Sequence, residues 1–173
     1  MKTLIAYFSR NGINPVKGID TYLEEGNTKK LAKKIQKLTD ADMFEIVPVE
    51  AYPSDYNECV SRIAYEDEEG VNVEFKKEYC SKELLSLDEY DCIYLGFPIW
   101  YRTYPRIIHT FIKSYNFNGK KIKPFCTNEE GTFGFSESVL KYNFKDANLL
   151  QGYALRGYKV DEDDPNLIEW VRK

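Results

Sequence analysis

Two short runs near the start of the chain are typed for holding an anion. Ser9-Arg10-Asn11-Gly12 follows an apolar run, Leu4-Ile5-Ala6-Tyr7-Phe8. Gly26-Asn27-Thr28 opens a helical pattern after the excursion from Ile13 to Glu25. A strand that delivers small hydroxyl and amide residues to a helix N-terminus leaves unpaired N–H groups and a partial positive charge at one place, which suits a phosphate. Ser9, Asn11, Gly26, Asn27 and Thr28 are therefore candidates to hold the phosphate of a mononucleotide. The same residues also describe an ordinary strand–turn–helix with Asn27 or Thr28 as helix cap, and this stretch alone fits both readings.

A second group is aromatic. Pro98-Ile99-Trp100-Tyr101-Arg102-Thr103-Tyr104-Pro105 leaves a strand end between two prolines. Trp100 or Tyr101 can stack on a flat ring, or both can simply anchor the loop. A third loop, Thr127-Asn128-Glu129-Glu130-Gly131-Thr132-Phe133-Gly134, follows the next strand. Other chemistries lack material. His109 is the single histidine, and the four cysteines (Cys59, Cys80, Cys92, Cys126) are scattered without a Cys-x-x-Cys, so they read as free buried thiols. No Gly-Lys-Ser/Thr phosphate loop and no Gly-x-Ser-x-Gly elbow occurs.

The elements that must position these loops alternate. Strand patterns at 4–8, 43–47, 92–97, 122–126 (interrupted by Pro124) and 149–155 are separated by helical ones. The first helix shows Leu31, Ala32, Ile35 and Leu38 on one face and lysines on the other. The second has Tyr56, Val60, Ile63 and Ala64 inward, Ser54 or Asp55 as cap, and an acidic exposed end at Glu66–Glu69. Further helices follow Pro105, begin near Ser136, and close the chain from Pro165. Such an order implies an α/β domain, one domain over 1–173, with a parallel sheet covered on both faces. Ligands then sit beyond the carboxyl ends of the strands, where strand order reverses. That places loops 9–28, 96–104 and 127–134 at one site.

Composition narrows the class. The chain has 173 residues, 43% hydrophobic and 30% charged, with a net charge of −4, so no nucleic-acid footprint is expected. Aromatics reach 15%, which serves a core or a flat ligand. No apolar run approaches the roughly 20 residues that span a bilayer, and the start does not read as a secretory signal. The expectation is a cytoplasmic protein with no membrane association. The acidic run Asp161–Asp164 reads as solvated surface.

At these loops the sequence resembles the flavodoxins, in particular flavodoxin-like proteins of anaerobes that carry an extended phosphate loop. The marks are Ala6-Tyr7-Phe8-Ser9-Arg10 with Gly26-Asn27-Thr28, Tyr52-Pro53 with Asp55-Tyr56, Tyr90-Asp91 with Leu95 to Tyr101, Pro124 to Thr127, and Gly152 with Leu155-Arg156-Gly157. The resemblance implies a three-layer α/β/α sandwich with a five-stranded parallel sheet of order 2-1-3-4-5, binding FMN non-covalently. It would assign Ser9, Asn27 and Thr28, with Arg10 as a further candidate, to the phosphate. Pro98, Ile99, Trp100 and Tyr101 would form one wall around the ring, and Thr127, Asn128, Glu129, Gly131 and Gly134 the other side. Arg102 stands where the family carries a glycine or small residue, and Glu130 and Thr132 replace glycines.

The function this implies is low-potential electron transfer between redox partner proteins, docking through acidic surface such as Glu66–Glu69. One alternative is an FMN-dependent NAD(P)H:quinone-type oxidoreductase. Another is a flavodoxin-like module that has lost FMN. Either a monomer or a homodimer is compatible. The apolar residues of the 13–25 excursion (Ile13, Val16, Ile19, Tyr22, Leu23) are expected to pack on the protein, with the loop covering the phosphate or the flavin edge.

Overall fold

Every second residue of the first strand faces the same way, and here both faces are apolar. In the computed structural model, which describes residues 2–79 and 82–173, β1 (Thr3–Tyr7) sends Leu4 and Ala6 into one core and Ile5 and Tyr7 into the other. Such two-sided burial requires helices on both faces of the sheet. A hairpin, β2 (Gly12–Val16) with β3 (Ile19–Leu23), leads to α1 (Asn27–Thr39) and then β4 (Asp42–Glu45). β5 (Val47–Pro48) precedes α2 (Tyr56–Glu68) and pairs with β6 (Phe75–Lys76), and β7 (Glu78–Tyr79) pairs with β8 (Lys82–Glu83). The second half holds β9 (Cys92–Pro98), α3 (Arg106–Ser114), β10 (Lys121–Asn128), α4 (Ser136–Asn143), β11 (Asn148–Leu149), β12 (Tyr153–Arg156) and α5 (Pro165–Arg172).

The central sheet is parallel and runs β4-β1-β9-β10, with β11 and β12 both on the far edge of β10. β11 and β12 are two halves of one edge strand, so the order is 2-1-3-4-5 as expected. α1 and α5 cover one face through Leu31, Ala32, Ile35, Leu167 and Trp170. α3 and α4 cover the other through Ile107, Ile108, Phe111 and Leu140. The three layers form an α/β/α sandwich of flavodoxin-like topology.

Several local expectations need correction. β10 runs unbroken through Pro124; the interruption falls on its neighbour. Ile122 pairs with Leu149 and Phe125 with Tyr153, so three residues, 150–152, oppose two, 123–124. Proline has no N–H to donate, and the edge strand bulges beside it. Leu38 is 44% exposed, because α1 buries Thr28, Leu31, Ala32 and Ile35 instead. The inner face of α2 is Cys59, Ile63 and Glu66, rotated from the expected one, with Asp55 capping the Glu58 N–H at 3.0 Å. Glu66 is buried and so does not belong to an acidic docking surface. Asp164 caps α5, accepting from the Asn166 N–H at 2.9 Å and from the Tyr153 hydroxyl. Cys59, Cys92 and Cys126 are free and buried, as expected, and Cys80 lies outside the described residues. Among the described residues no helix is long and apolar enough to cross a membrane.

Candidate functional site

A cleft of about 640 Å³ opens at the carboxyl ends of β1, β9 and β10. Pockets of roughly 300–1,000 Å³ accept drug- or cofactor-sized ligands. All three candidate loops reach it: Ser9, Asn27 and Thr28 from the first, Pro98, Ile99, Trp100 and Arg102 from the second, and Thr127 to Glu130, Thr132, Gly134 and Phe135 from the third.

The anion end is made of neutral donors. Helix geometry leaves the first N–H groups of α1 without intrahelical acceptors. The Lys29 N–H is spent on the Ser9 hydroxyl oxygen at 3.0 Å, and the Lys30 N–H on the Gly26 carbonyl at 3.2 Å. Those of Asn27 and Thr28 remain at the cleft. Ser9 accepts through oxygen, so its own proton is free to donate. Thr28 and Thr127 share one hydrogen bond at 2.8 Å, which leaves the second of their two hydroxyl protons for a ligand. No acidic residue sits in the first turn of α1. Nearby lysines are engaged elsewhere: Lys29 with Glu45 at 2.6 Å, Lys30 with Asp161 at 2.8 Å, and Lys33 with Glu25. Oriented N–H and O–H dipoles at a helix N-terminus match a phosphate. Gly26 is required by contact: a Cβ there would sit 2.3 Å from both the Ser9 hydroxyl and the Arg10 carbonyl. It is the N-cap residue and does not line the cleft.

Arg10 departs from its expected role. Its guanidinium is buried and donates to the carbonyls of Ile13, Pro53, Ser54 and Asp55, at 2.7–3.2 Å, and to Asn14 Oδ1 at 3.1 Å. It lines the cleft, as a candidate should, but its donors clamp the β2–β3 hairpin to the loop before α2 and are not left for an anion. Asn11 is exposed and lies off the cleft.

The aromatic wall is narrower than expected. Trp100 lines the cleft, wedged edge-on against Phe8 at 5.3 Å and Tyr52 at 5.0 Å between ring centroids. Tyr101 is 54% exposed and is not among the residues that line the cleft. The reason is a tight turn in which Trp100 and Thr103 exchange backbone hydrogen bonds at 2.8 and 3.0 Å, with Tyr101 and Arg102 at φ 45° and 68°. Both central residues are left-handed, the geometry that favours glycine or asparagine. This is the position at which the resemblance leads one to expect a small residue, and this chain carries Arg102.

On the opposite side, Asn128 folds its own loop. Its amide oxygen accepts from the N–H of Gly131 and of Thr132, and its NH₂ donates to the Thr132 carbonyl at 2.7 Å. Gly131 (φ 70°) turns away and packs on Arg156, so its smallness serves that turn and not a ligand. Gly134 does line the cleft, and a Cβ there would strike the Arg102 carbonyl at 2.3 Å, so its smallness lets the two loops touch. Burial pushes the Cys126 thiol up from its ordinary range, so it stays protonated beside the site.

Leu23 lines the cleft from the hairpin, in keeping with an excursion expected to pack there. Further lining residues are not among the candidates: Asn14 and Pro15 come from the hairpin, Tyr56 from the start of α2, and Gly157 from the turn after β12. The hairpin signal was partial: Lys17-Gly18 stands where Asn-Gly is usual, and Pro15 masks a strand. Lys17 and Gly18 adopt φ 54° and 76°. The tip crosses to the far side, where the Gly18 N–H donates to Glu129 Oε2 at 3.2 Å and the Lys17 ammonium lies 5.0 Å from the Tyr158 ring centre. Ile19 and Tyr22 are 69% and 61% exposed, so the expectation that they pack on the protein fails.

The family model for flavodoxin matches residues 2–173. A protein from Bacteroides uniformis assigned as a flavoprotein has 30% sequence identity and a TM-score of 0.74, covering 99% of this chain and 98% of that one. Another, from Bacteroides eggerthii, has 28% identity and a TM-score of 0.74, covering 99% and 96%. A flavoprotein from Lactobacillus acidophilus, solved in complex with FMN, has 22% identity and a TM-score of 0.66, covering 93% and 97%. No curated protein matches the chain.

Proposed function

The chain belongs to the flavodoxin family, and from that premise we propose that it binds FMN non-covalently and serves as an electron-transfer protein. The observation that carries this reading is the meeting of unspent neutral donors at the α1 N-terminus with the Trp100 wall in one cleft of cofactor size. The FMN complex of the Lactobacillus acidophilus protein adds support from a shared fold.

FMN, when bound, supplies the redox chemistry, so the chain needs no acid, base or nucleophile of its own. The N–H groups of Asn27 and Thr28, the Ser9 hydroxyl and the one proton that the Thr28–Thr127 pair leaves over would hold the phosphate. Pro98, Ile99 and Trp100 would exclude water from the ring, with Thr127, Asn128, Glu129, Thr132, Gly134 and Phe135 on the other side. Arg102 favours electron density nearby, while Glu129 and Glu130 oppose it. The hairpin, tied at its tip to Glu129, supports carriage of electrons over hydride transfer. Hydride transfer requires a second ring brought to within about 3–3.5 Å of the first, and a hairpin that lines the cleft through Asn14, Pro15 and Leu23 would narrow the room for it. Redox partner proteins are the proposed partners.

The experiment is the absorbance spectrum of the protein as purified and after FMN addition, followed by anaerobic NAD(P)H. Bound FMN that NAD(P)H leaves oxidised is expected. Rapid bleaching would instead assign an FMN-dependent NAD(P)H:quinone-type reductase. Failure to take up FMN would leave a flavodoxin-like module without flavin.

A further inference from the structure

Glu66 sits on the inner face of α2 with 4% of its surface exposed. Taking a carboxylate out of water costs several kcal/mol unless both oxygens are satisfied. Here they are. Oε1 accepts from Arg62 Nε and Oε2 from the Tyr52 hydroxyl, both at 2.7 Å. Arg62 reaches further, donating to the carbonyls of Ala51 at 2.9 Å and Glu50 at 3.2 Å, and its guanidinium lies 4.2 Å from the centre of the Tyr52 ring. Tyr52 is thus fixed at its hydroxyl, across its ring face and along the chain that precedes it.

The ring so fixed meets Trp100. The two stand edge to face, with centroids 5.0 Å apart and planes at 74°, and Phe8 closes the same corner against both. Tyr52 and Glu66 do not line the cleft, whereas Trp100 does. Packing alone does not call for this polar chain: a phenylalanine at 52 and a leucine at 66 would fill similar space without a buried charge. A fully satisfied buried network instead specifies one arrangement. We propose that Glu66 is a positioning residue for the cleft, holding the Trp100 indole in the wall through Tyr52.

The purpose of the wall rests on the FMN reading, but the positioning does not, so the two are tested separately. The FMN-free protein labelled with ¹⁵N shows indole N–H signals from Trp100 and Trp170. Trp170 donates to the Gln151 carbonyl at 2.7 Å and serves as an internal control. Tyr52→Phe and Glu66→Leu are expected to shift or broaden the Trp100 signal and leave that of Trp170 in place. Glu66→Gln, whose amide oxygen can accept from Arg62 Nε while its NH₂ donates to the Tyr52 hydroxyl oxygen, keeps a hydrogen bond to Tyr52 and should retain the wild-type Trp100 signal. In FMN titrations the first two should bind about 10-fold more weakly, the loss of roughly one charge-assisted hydrogen bond, with Glu66→Gln near wild type. If Glu66→Leu does not fold, Tyr52→Phe carries the test. A Trp100 signal unmoved in Tyr52→Phe, or a Trp170 signal that moves equally, overturns the proposal. A wild-type protein that takes up no FMN overturns the proposed function instead, and the indole signals then decide the positioning alone.

Discussion

The hydroxyls of Thr28 and Thr127 meet at 2.8 Å, 99 residues apart in sequence and both buried. One belongs to the first turn of α1 and the other to the end of β10. A single hydrogen bond therefore joins the anion end of the cleft to the loop that forms its far side.

Replacing either threonine by valine leaves the other hydroxyl buried without its partner. Each single variant is expected to lose about 1–3 kcal/mol of stability. The double variant should lose about 1 kcal/mol less than the sum of the singles, because the second substitution removes a group already orphaned. Urea unfolding of the four proteins measures this, and strictly additive losses would mean that the bond carries no coupling.

The β2–β3 hairpin can be removed without a long bridge. Gly12 and Leu23 are cross-strand partners, so their Cα atoms lie about 4.5–5.5 Å apart. Deleting 13–22 and joining the ends through one or two glycines keeps three carbonyl acceptors of Arg10, those of Pro53, Ser54 and Asp55. We expect an intact fold by circular dichroism and FMN binding weakened about 10-fold or more. Unchanged affinity would reduce the hairpin to a tolerated insertion.

Much of this was legible in the sequence because the governing signals are local. The 3.6-residue pattern of Leu31, Ala32 and Ile35 and the short apolar runs of β1 and β9 identify a parallel sheet, and a parallel sheet brings its strand-end loops together. The errors arise where a side chain answers to a distant backbone. Arg10 is a phosphate candidate through the resemblance, yet carbonyls more than forty residues away claim its donors. Glu66 reads as surface by its acidic neighbours, yet Tyr52 and Arg62 draw it inside. Gly131 has the right type for ligand contact and is consumed by the turn that Asn128 folds, while Asn128 itself still lines the cleft.

The turn at Tyr101-Arg102 stores strain. A non-glycine residue in the left-handed region costs roughly 1–2 kcal/mol, and Arg102 stands at φ 68°. Arg102→Gly relieves that cost, whereas Arg102→Ala keeps the Cβ that causes it. Allowing for the larger freedom of glycine in the unfolded chain, the glycine variant should be the more stable by about 1 kcal/mol. Equal denaturant midpoints for the two would show the turn to be unstrained.

The same arginine bears on the potential if FMN is bound. Arg102 lines the cleft and is exposed, so solvent screens its charge. Arg102→Ala should lower the midpoint potential of the bound flavin by some tens of millivolts, within about 59 mV, the value of one tenfold step for a one-electron couple. Glu129→Gln should raise it. Reductive titration against reference dyes reads both signs, and a rise in Arg102→Ala would contradict the electrostatic assignment.

His109 offers an isolated test of acid sensitivity, because the chain contains one histidine. Burial, then the charges of Lys113 and Arg106, hold its pKa below the ordinary 6.5. In the unfolded chain the imidazole takes up a proton near pH 6.5, while in the folded protein it does so only at lower pH. The unfolded state therefore binds more protons in that window, and stability falls as pH drops from about 6.5 toward the folded pKa. Above 6.5 the contribution is fully present. His109→Gln, neutral throughout, should flatten the slope of unfolding free energy just below about pH 6.5 and leave the carboxylate-driven loss at lower pH intact. A wild-type slope that persists in the variant would assign the acid sensitivity to other groups.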